Sequence, residues 1–309
     1  MFKHTIKLNG SRIKQHGVSS LILRDLFDVI TEGSIRALRL RLEGRSTVAG
    51  KPPSWLDAAA DFEVTVNSPN EIKVVALPLS LAVPDRFKQP KLFPDVDPSK
   101  SSLILFEDSL EDALKGEADS DLYDNGLLDT FKGFSNLFDH GLDYLEITNG
   151  RPRDRGPLRI SPENVKTIKE LQRKTPSNRR VRVAGKVDTI RHSDRMFILI
   201  LESGLTLRGI ADNIEAQELA RFFGKTAIVS GTAVFRPSGS LLRIEAEKIE
   251  PAKGDVSVWS VEPKPLEADI DARVLRKPQD QHSGLNAIFG QWPGDETDDE
   301  LLTALEAIS

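Results

Sequence analysis

The chain has 309 residues, 39% apolar and 29% charged, which is room for two cores and ordinary for globular proteins. There is no cysteine, which excludes disulfides, thiolate metal sites and a Cys nucleophile and suits a reducing compartment. The formal net charge of −5 hides an asymmetry: residues 151–250 carry 20 Lys/Arg against 12 Asp/Glu, while 1–150 carry 17 against 23 and 251–309 carry 5 against 12.

The basic excess is densest over 151–186, with 12 basic and 3 acidic residues. A basic middle between acidic ends points to an anionic partner for the middle. The alternative is a solvated helix between domains.

The first ten residues, MFKHTIKLNG, alternate apolar and polar side chains and lack the apolar core of a signal peptide. The alternation predicts a strand over 2–8. Apolar residues at helical spacing (Leu21, Leu23, Leu26, Phe27, Val29, Ile30) predict helix across 18–42, with Gly33 interrupting it or ending a first helix. The run KPPSWLDAAADF reads as a loop whose Trp55 and Leu56 plug the core. Strands are predicted over 62–66 and 72–77, joined by a turn at 67–70 that contains Pro69. After the proline-rich 84–98, amphipathic helices are expected near 102–115 and 120–138, then a strand over 144–148 with 157–160 as hairpin partner. Residues 1–160 therefore read as one α+β domain, a sheet with helices on one face.

Ser161 as N-cap, Pro162 at the first helical position and the face Val165, Ile168, Leu171 predict a connecting helix over 161–174, stopped at Pro176. Five β-rich segments follow, at 181–190, 195–201, 205–210, 226–235 and 241–249, with a helical stretch at 214–223 between the third and fourth. Gly204 and the turn at 237–239 close two hairpins, and Gly185 and Gly231 fall inside strands, where glycine marks a bulge or a barrel corner. This order and glycine placement resemble the OB-fold over residues 181–250. The resemblance implies binding of single-stranded nucleic acid across the central strands, by basic residues and stacking aromatics. On that expectation Arg182, Lys186, Arg195 and Arg208 contact phosphates and Phe197 stacks on a base, with Met196, Ile198 and Ile200 supplying the buried face of its strand. The alternative places Phe197 in the core and makes the barrel a structural part of an interaction scaffold.

No catalytic constellation emerges. His4, His16, His140, His192 and His282 are scattered, without zinc-site spacing, and there is no phosphate-binding Gly-rich loop or Gly-x-Ser-x-Gly elbow. Asp119, Asp121, Asp124 and Asp129 depart from a calcium loop because Tyr123 takes the fifth place. A non-catalytic protein without cofactor or metal is expected. The longest aliphatic run, 196–201, is too short to cross a bilayer, so a cytoplasmic location is expected.

Residues 251–283 have the composition of a flexible linker, in which 256–259 can add a strand or plug to the barrel. The segment 284–309 reads as a partner-binding tail. Thr297 and Glu300 form a capping-box pattern, and Leu301, Leu302, Leu305 and Ile308 make one apolar stripe of a short helix behind the anchor Trp292-Pro293. The string WPGDETDDE over 292–300 resembles the C-terminal ends of bacterial antitoxins encoded beside PIN-domain ribonucleases, which implies a nuclease-contacting segment. The layout as a whole resembles an uncharacterised bacterial family.

Overall fold

In a computed structural model, the structure describes residues 1–11, 13, 17–87, 96–149, 156–191, 195–266 and 297. Strand β1 (Phe2–Asn9) is the middle of an antiparallel sheet, because its alternation buries His4, Ile6 and Leu8 on one side. After it come helices α1 (Ser20–Glu43) and α2 (Ser54–Ala59), strands β2 (Glu63–Ser68) and β3 (Glu71–Ala76), and the short helices α3 (Leu79–Ala82) and α4 (Pro84–Phe87). Helices α5 (Ser102–Lys115), α6 (Asn125–Phe131) and α7 (Phe134–Asp139), strands β4 (Tyr144–Asn149) and β5 (Leu158–Ile160), and helix α8 (Pro162–Lys174) complete this part. The sheet order is β2-β3-β1-β4-β5. Its registers align Ile72, Ile6, Ile147 and Leu158 in one buried row beneath the helices. Helix α8 joins the same core through Val165, Ile168 and Leu171.

Three local expectations change. Helix α1 runs through Gly33 without a break: a Cβ there would lie 2.5 Å from the Phe106 ring of α5, so the glycine serves a close helix approach. The helix ends at Gly44, whose φ of 75° is the left-handed stop and whose N–H donates to the Leu40 carbonyl. The presumed loop around Trp55 contains α2, with Leu56 fully buried. The single helix expected over 120–138 starts only at Asn125, capped by Asp124, and divides at Lys132 and Gly133.

Strands β6 (Arg179–Arg191), β7 (Met196–Ile200), β8 (Thr206–Ile210), β9 (Thr226–Phe235) and β10 (Leu241–Pro251), with helix α9 (Ala216–Ala220) before β9, form a closed barrel in the order β10-β8-β7-β6-β9. All pairs are antiparallel except β8 with β10, which meet in parallel at Gly209 and Ile244. This closed, mixed, five-stranded barrel is compatible with an OB-like fold. Gly231 sits where β10 shifts register, between Ala246 and Lys248, and a Cβ on it would meet the Glu245 carbonyl at 2.1 Å. Val183, Val187, Leu199, Val229 and Ile244 belong to the barrel's own core. Outside it, Val256 plugs against Ala184 and Ile228, with Trp259 beside them in a 3-10 turn (Ser257–Trp259). Among the described residues no helix is long and apolar enough to cross a membrane.

Candidate functional site

The side-chain parity of β7 decides what the barrel presents outward. Phe197 and Leu199 point in, while Met196, Ile198 and Ile200 are half-buried on the outer side, the reverse of the parity expected from sequence. Phe197 is 2% exposed, and a Cβ on Gly209 of β8 would lie 2.1 Å from its ring. The missing side chain of Gly209 is the space the ring fills. A ring held this way has no face for a base, so the stacking role expected for Phe197 is replaced by a core role.

The outer side of β7 and β8 meets the N-terminal part of the chain across a cleft of about 450 Å³. Leu40, Met196, Ile198, Ile210 and Leu242 supply apolar walls, and Arg41, Arg191, Arg208, Arg243 and Asp121 supply charge. Four guanidiniums and one carboxylate line it, and of the four Arg208 and Arg243 already face carboxylates. Arg41 comes from the last turn of α1, where it donates to the Leu122 carbonyl at 2.9 Å and to Ser109 Oγ at 3.1 Å. Burial holds its pKa below the ordinary arginine value, opposed by Asp108, Asp112 and Asp121; a guanidinium remains charged under such a shift. Arg191 reaches the Leu42 carbonyl at 3.4 Å. Arg208 is 3.5 Å from Asp121, with both side chains substantially exposed.

One rim of the cleft is clasped. The turn between β9 and β10 docks on residues 118–121: Arg236 Nε donates to Asp121 at 3.1 Å, Ser238 Oγ and Ser240 Oγ donate to Asp119, and the Ser238 N–H donates to the Ala118 carbonyl at 3.1 Å. The hydrogen bonds from Ser240 and Ser238, and then the Arg236 charge, hold the Asp119 carboxyl below its usual range. Beneath the clasp, buried Arg243 pairs with Asp124 at 3.2 Å and with Glu245 at 2.9 Å.

Of the five barrel residues selected from sequence, Arg208 and Phe197 border the cleft, Phe197 as a buried ring beneath it. Arg182 lies on the outer side of β6, 3.9 Å from Glu250 and with its guanidinium 5.0 Å above the Trp259 ring. Lys186 is exposed on the same strand, outside the cleft lining. Arg195 has a φ of 54°, and its side chain donates to the Asp212 carbonyl, so it closes a loop. Phe222 packs on the barrel core and Phe235 is buried, while Phe223 is 62% exposed after α9. Sequence reading missed Arg41, Arg191 and Arg243, and weighed Asp121 only as a calcium ligand. Arg191 was within reach, one residue past the predicted strand end; the other three come from distant segments that no spacing connects. The tail residues Trp292, Leu301, Leu302, Leu305 and Ile308 lie outside the described residues.

Among the described residues no group of three or more His, Asp or Glu side chains is placed to hold a metal ion. No protein-family model matches the chain, and no curated protein or solved structure matches it.

Proposed function

We propose that the protein is a non-catalytic, cytoplasmic binding protein whose OB-type barrel takes single-stranded nucleic acid on the outer side of β7 and β8. The observation that carries this reading is the cleft itself. Arg41, Arg191, Arg208 and Arg243 surround an apolar floor of Met196, Ile198 and Ile210, on the face where OB barrels carry oligonucleotides. Guanidiniums suit phosphate oxygens, and half-buried aliphatic side chains suit the faces of sugar and base. The test is titration of a labelled single-stranded oligonucleotide with the full chain at two salt concentrations. Affinity is expected to fall with salt, and Arg208→Gln is expected to lower the slope by about 0.7 for the lost phosphate contact. No binding at low salt, or a slope unchanged in Arg208→Gln, would overturn the reading.

A second reading, an interaction scaffold with a structural barrel, is favoured by the clasp and by the Arg243–Asp124 pair, which tie the barrel to the N-terminal part. On that reading the same titration gives no binding at any salt concentration.

A further inference from the structure

The carboxylate of Asp121 lies between two guanidiniums, in the cleft that Arg41 also lines. Its Oδ1 accepts from Arg236 Nε at 3.1 Å, its Oδ2 is 3.5 Å from Arg208, and its charge is felt by Arg41. The contact to Arg236 belongs to the clasp, whose arginine is largely buried. The contact to Arg208 is different: it is longer than a hydrogen bond, and both partners are substantially exposed on the cleft. An exposed pair of this kind contributes little on its own. Arg208 is therefore held near an anion that a better one can displace. A carboxylate offers one charge, whereas a terminal phosphate offers about −1.5 to −2 and three strong acceptor oxygens.

The walls limit what can carry that phosphate. The β9–β10 turn is fastened to residues 118–121 along one rim. On another side the end of α1 lies on the barrel: a Cβ at Gly44 would come within 3.1 Å of Met196 and 3.2 Å of Ile210. An open OB face follows roughly 4–16 nucleotides of strand. The cleft, at about 450 Å³, falls instead among sites for one small molecule, for which roughly 300–1,000 Å³ is usual.

We infer that the cleft takes one nucleotide bearing a terminal phosphate, either a strand end or a free mononucleotide, with the phosphate on Arg208 in the position Asp121 guards. This rests on the nucleic-acid reading of the barrel and narrows it from a strand running across the face to a phosphorylated end.

The experiment compares four probes on the full chain: one oligonucleotide with a 5′-phosphate, with a 3′-phosphate or with neither, and a nucleoside monophosphate. One phosphorylated end is expected to bind at least tenfold tighter than the hydroxyl-ended strand. Asp121→Asn should tighten that binding several-fold, since the amide still offers Arg236 an acceptor but no longer competes for Arg208. Arg208→Gln should abolish the preference for phosphate. In the unaltered protein, inorganic phosphate should compete with the phosphorylated strand, a readout that needs no variant to fold. A strand end bound alone assigns the site to nucleic acid, and a monophosphate bound equally well assigns it to free nucleotides. Salt-dependent strand binding without end preference would overturn the end site and leave the nucleic-acid reading standing. Binding of the monophosphate without any oligonucleotide would keep the site and remove that reading. Equal affinity for all four probes, or no effect of Asp121→Asn in a normally melting variant, would overturn the inference.

Discussion

Arg243 on β10 donates to Asp124 at 3.2 Å with both side chains buried, and this pair fastens the last barrel strand to the cap of α6. Asp124 also accepts from the Ser46 backbone N–H at 3.0 Å, from Ser46 Oγ and from the Leu127 N–H at 3.2 Å. One carboxylate thus holds the segment after α1, the start of α6 and the barrel. Removing one member of a buried pair leaves the other charge unpaired, at about 3–5 kcal/mol. Asp124→Ala, which also takes the acceptor from Ser46 and Leu127, and Arg243→Met, which leaves the buried Asp124 carboxylate without its cation, are both expected to lose stability of that order in urea melts. Losses under about 1 kcal/mol for Asp124→Ala would show that the pair is not what fastens the barrel.

The seat of Phe197 over Gly209 predicts a second outcome. Gly209→Ala forces a methyl into the ring, and overpacking of this kind costs about 1–3 kcal/mol. Phe197→Ala empties the seat at about 3–5 kcal/mol. Phe197→Leu keeps an apolar filling and should leave oligonucleotide affinity unchanged while lowering the melting temperature. A large affinity loss in Phe197→Leu at unchanged stability would return the ring to a stacking role.

Much of the fold was legible because both halves obey simple periods. The alternation of β1 predicts its buried side, and the capping residues Ser161 and Pro162 predict α8. Gly33 was misread because a glycine in a helical run signals a break equally well when it makes room for a ring 73 positions away in Phe106. The parity of β7 was misread because Met196, Phe197, Ile198, Leu199 and Ile200 are all apolar, so nothing in the run says which side is core. The cleft was least legible. Arg41 meets the segment carrying Asp121 through its hydrogen bond to the Leu122 carbonyl, and Arg243 joins them through Asp124, tertiary contacts without a local pattern.

The clasp gives a pH prediction. Asp119 has a folded pKa below its unfolded value, held there by the hydroxyls of Ser240 and Ser238. Its contribution is therefore complete above the ordinary aspartate value, about 3.9, and is lost as pH falls through the lower folded value. The β9–β10 turn should loosen in acid below about pH 4, and Asp119→Asn should remove part of that acid dependence. Hydrogen exchange at the Ser238 amide, which donates to the Ala118 carbonyl, reads this directly. An amide equally protected at pH 3 and pH 6 in the unaltered chain would contradict it.

The last prediction concerns residues 284–309, proposed as a partner-binding element on sequence grounds. A helix of about a dozen residues is marginal in water even when capped, because nucleation costs more than one turn of hydrogen bonds returns. The stripe Leu301, Leu302, Leu305 and Ile308 therefore calls for a groove, and Trp292 beside Pro293 offers a large ring at low entropic cost as its anchor. On the resemblance read from the sequence over 292–300 alone, we propose a PIN-type nuclease as the owner of that groove. The full chain and a Trp292→Ala plus Leu305→Asp variant should be compared by titration against a purified PIN-domain nuclease from the same genome. Binding by the full chain with at least tenfold loss in the variant is the expected result, and truncation cost alone makes that reasonable for a central aromatic, at 2 kcal/mol or more for a hot spot, roughly thirtyfold. Equal binding by both forms, or binding by neither, would remove the tail from this role.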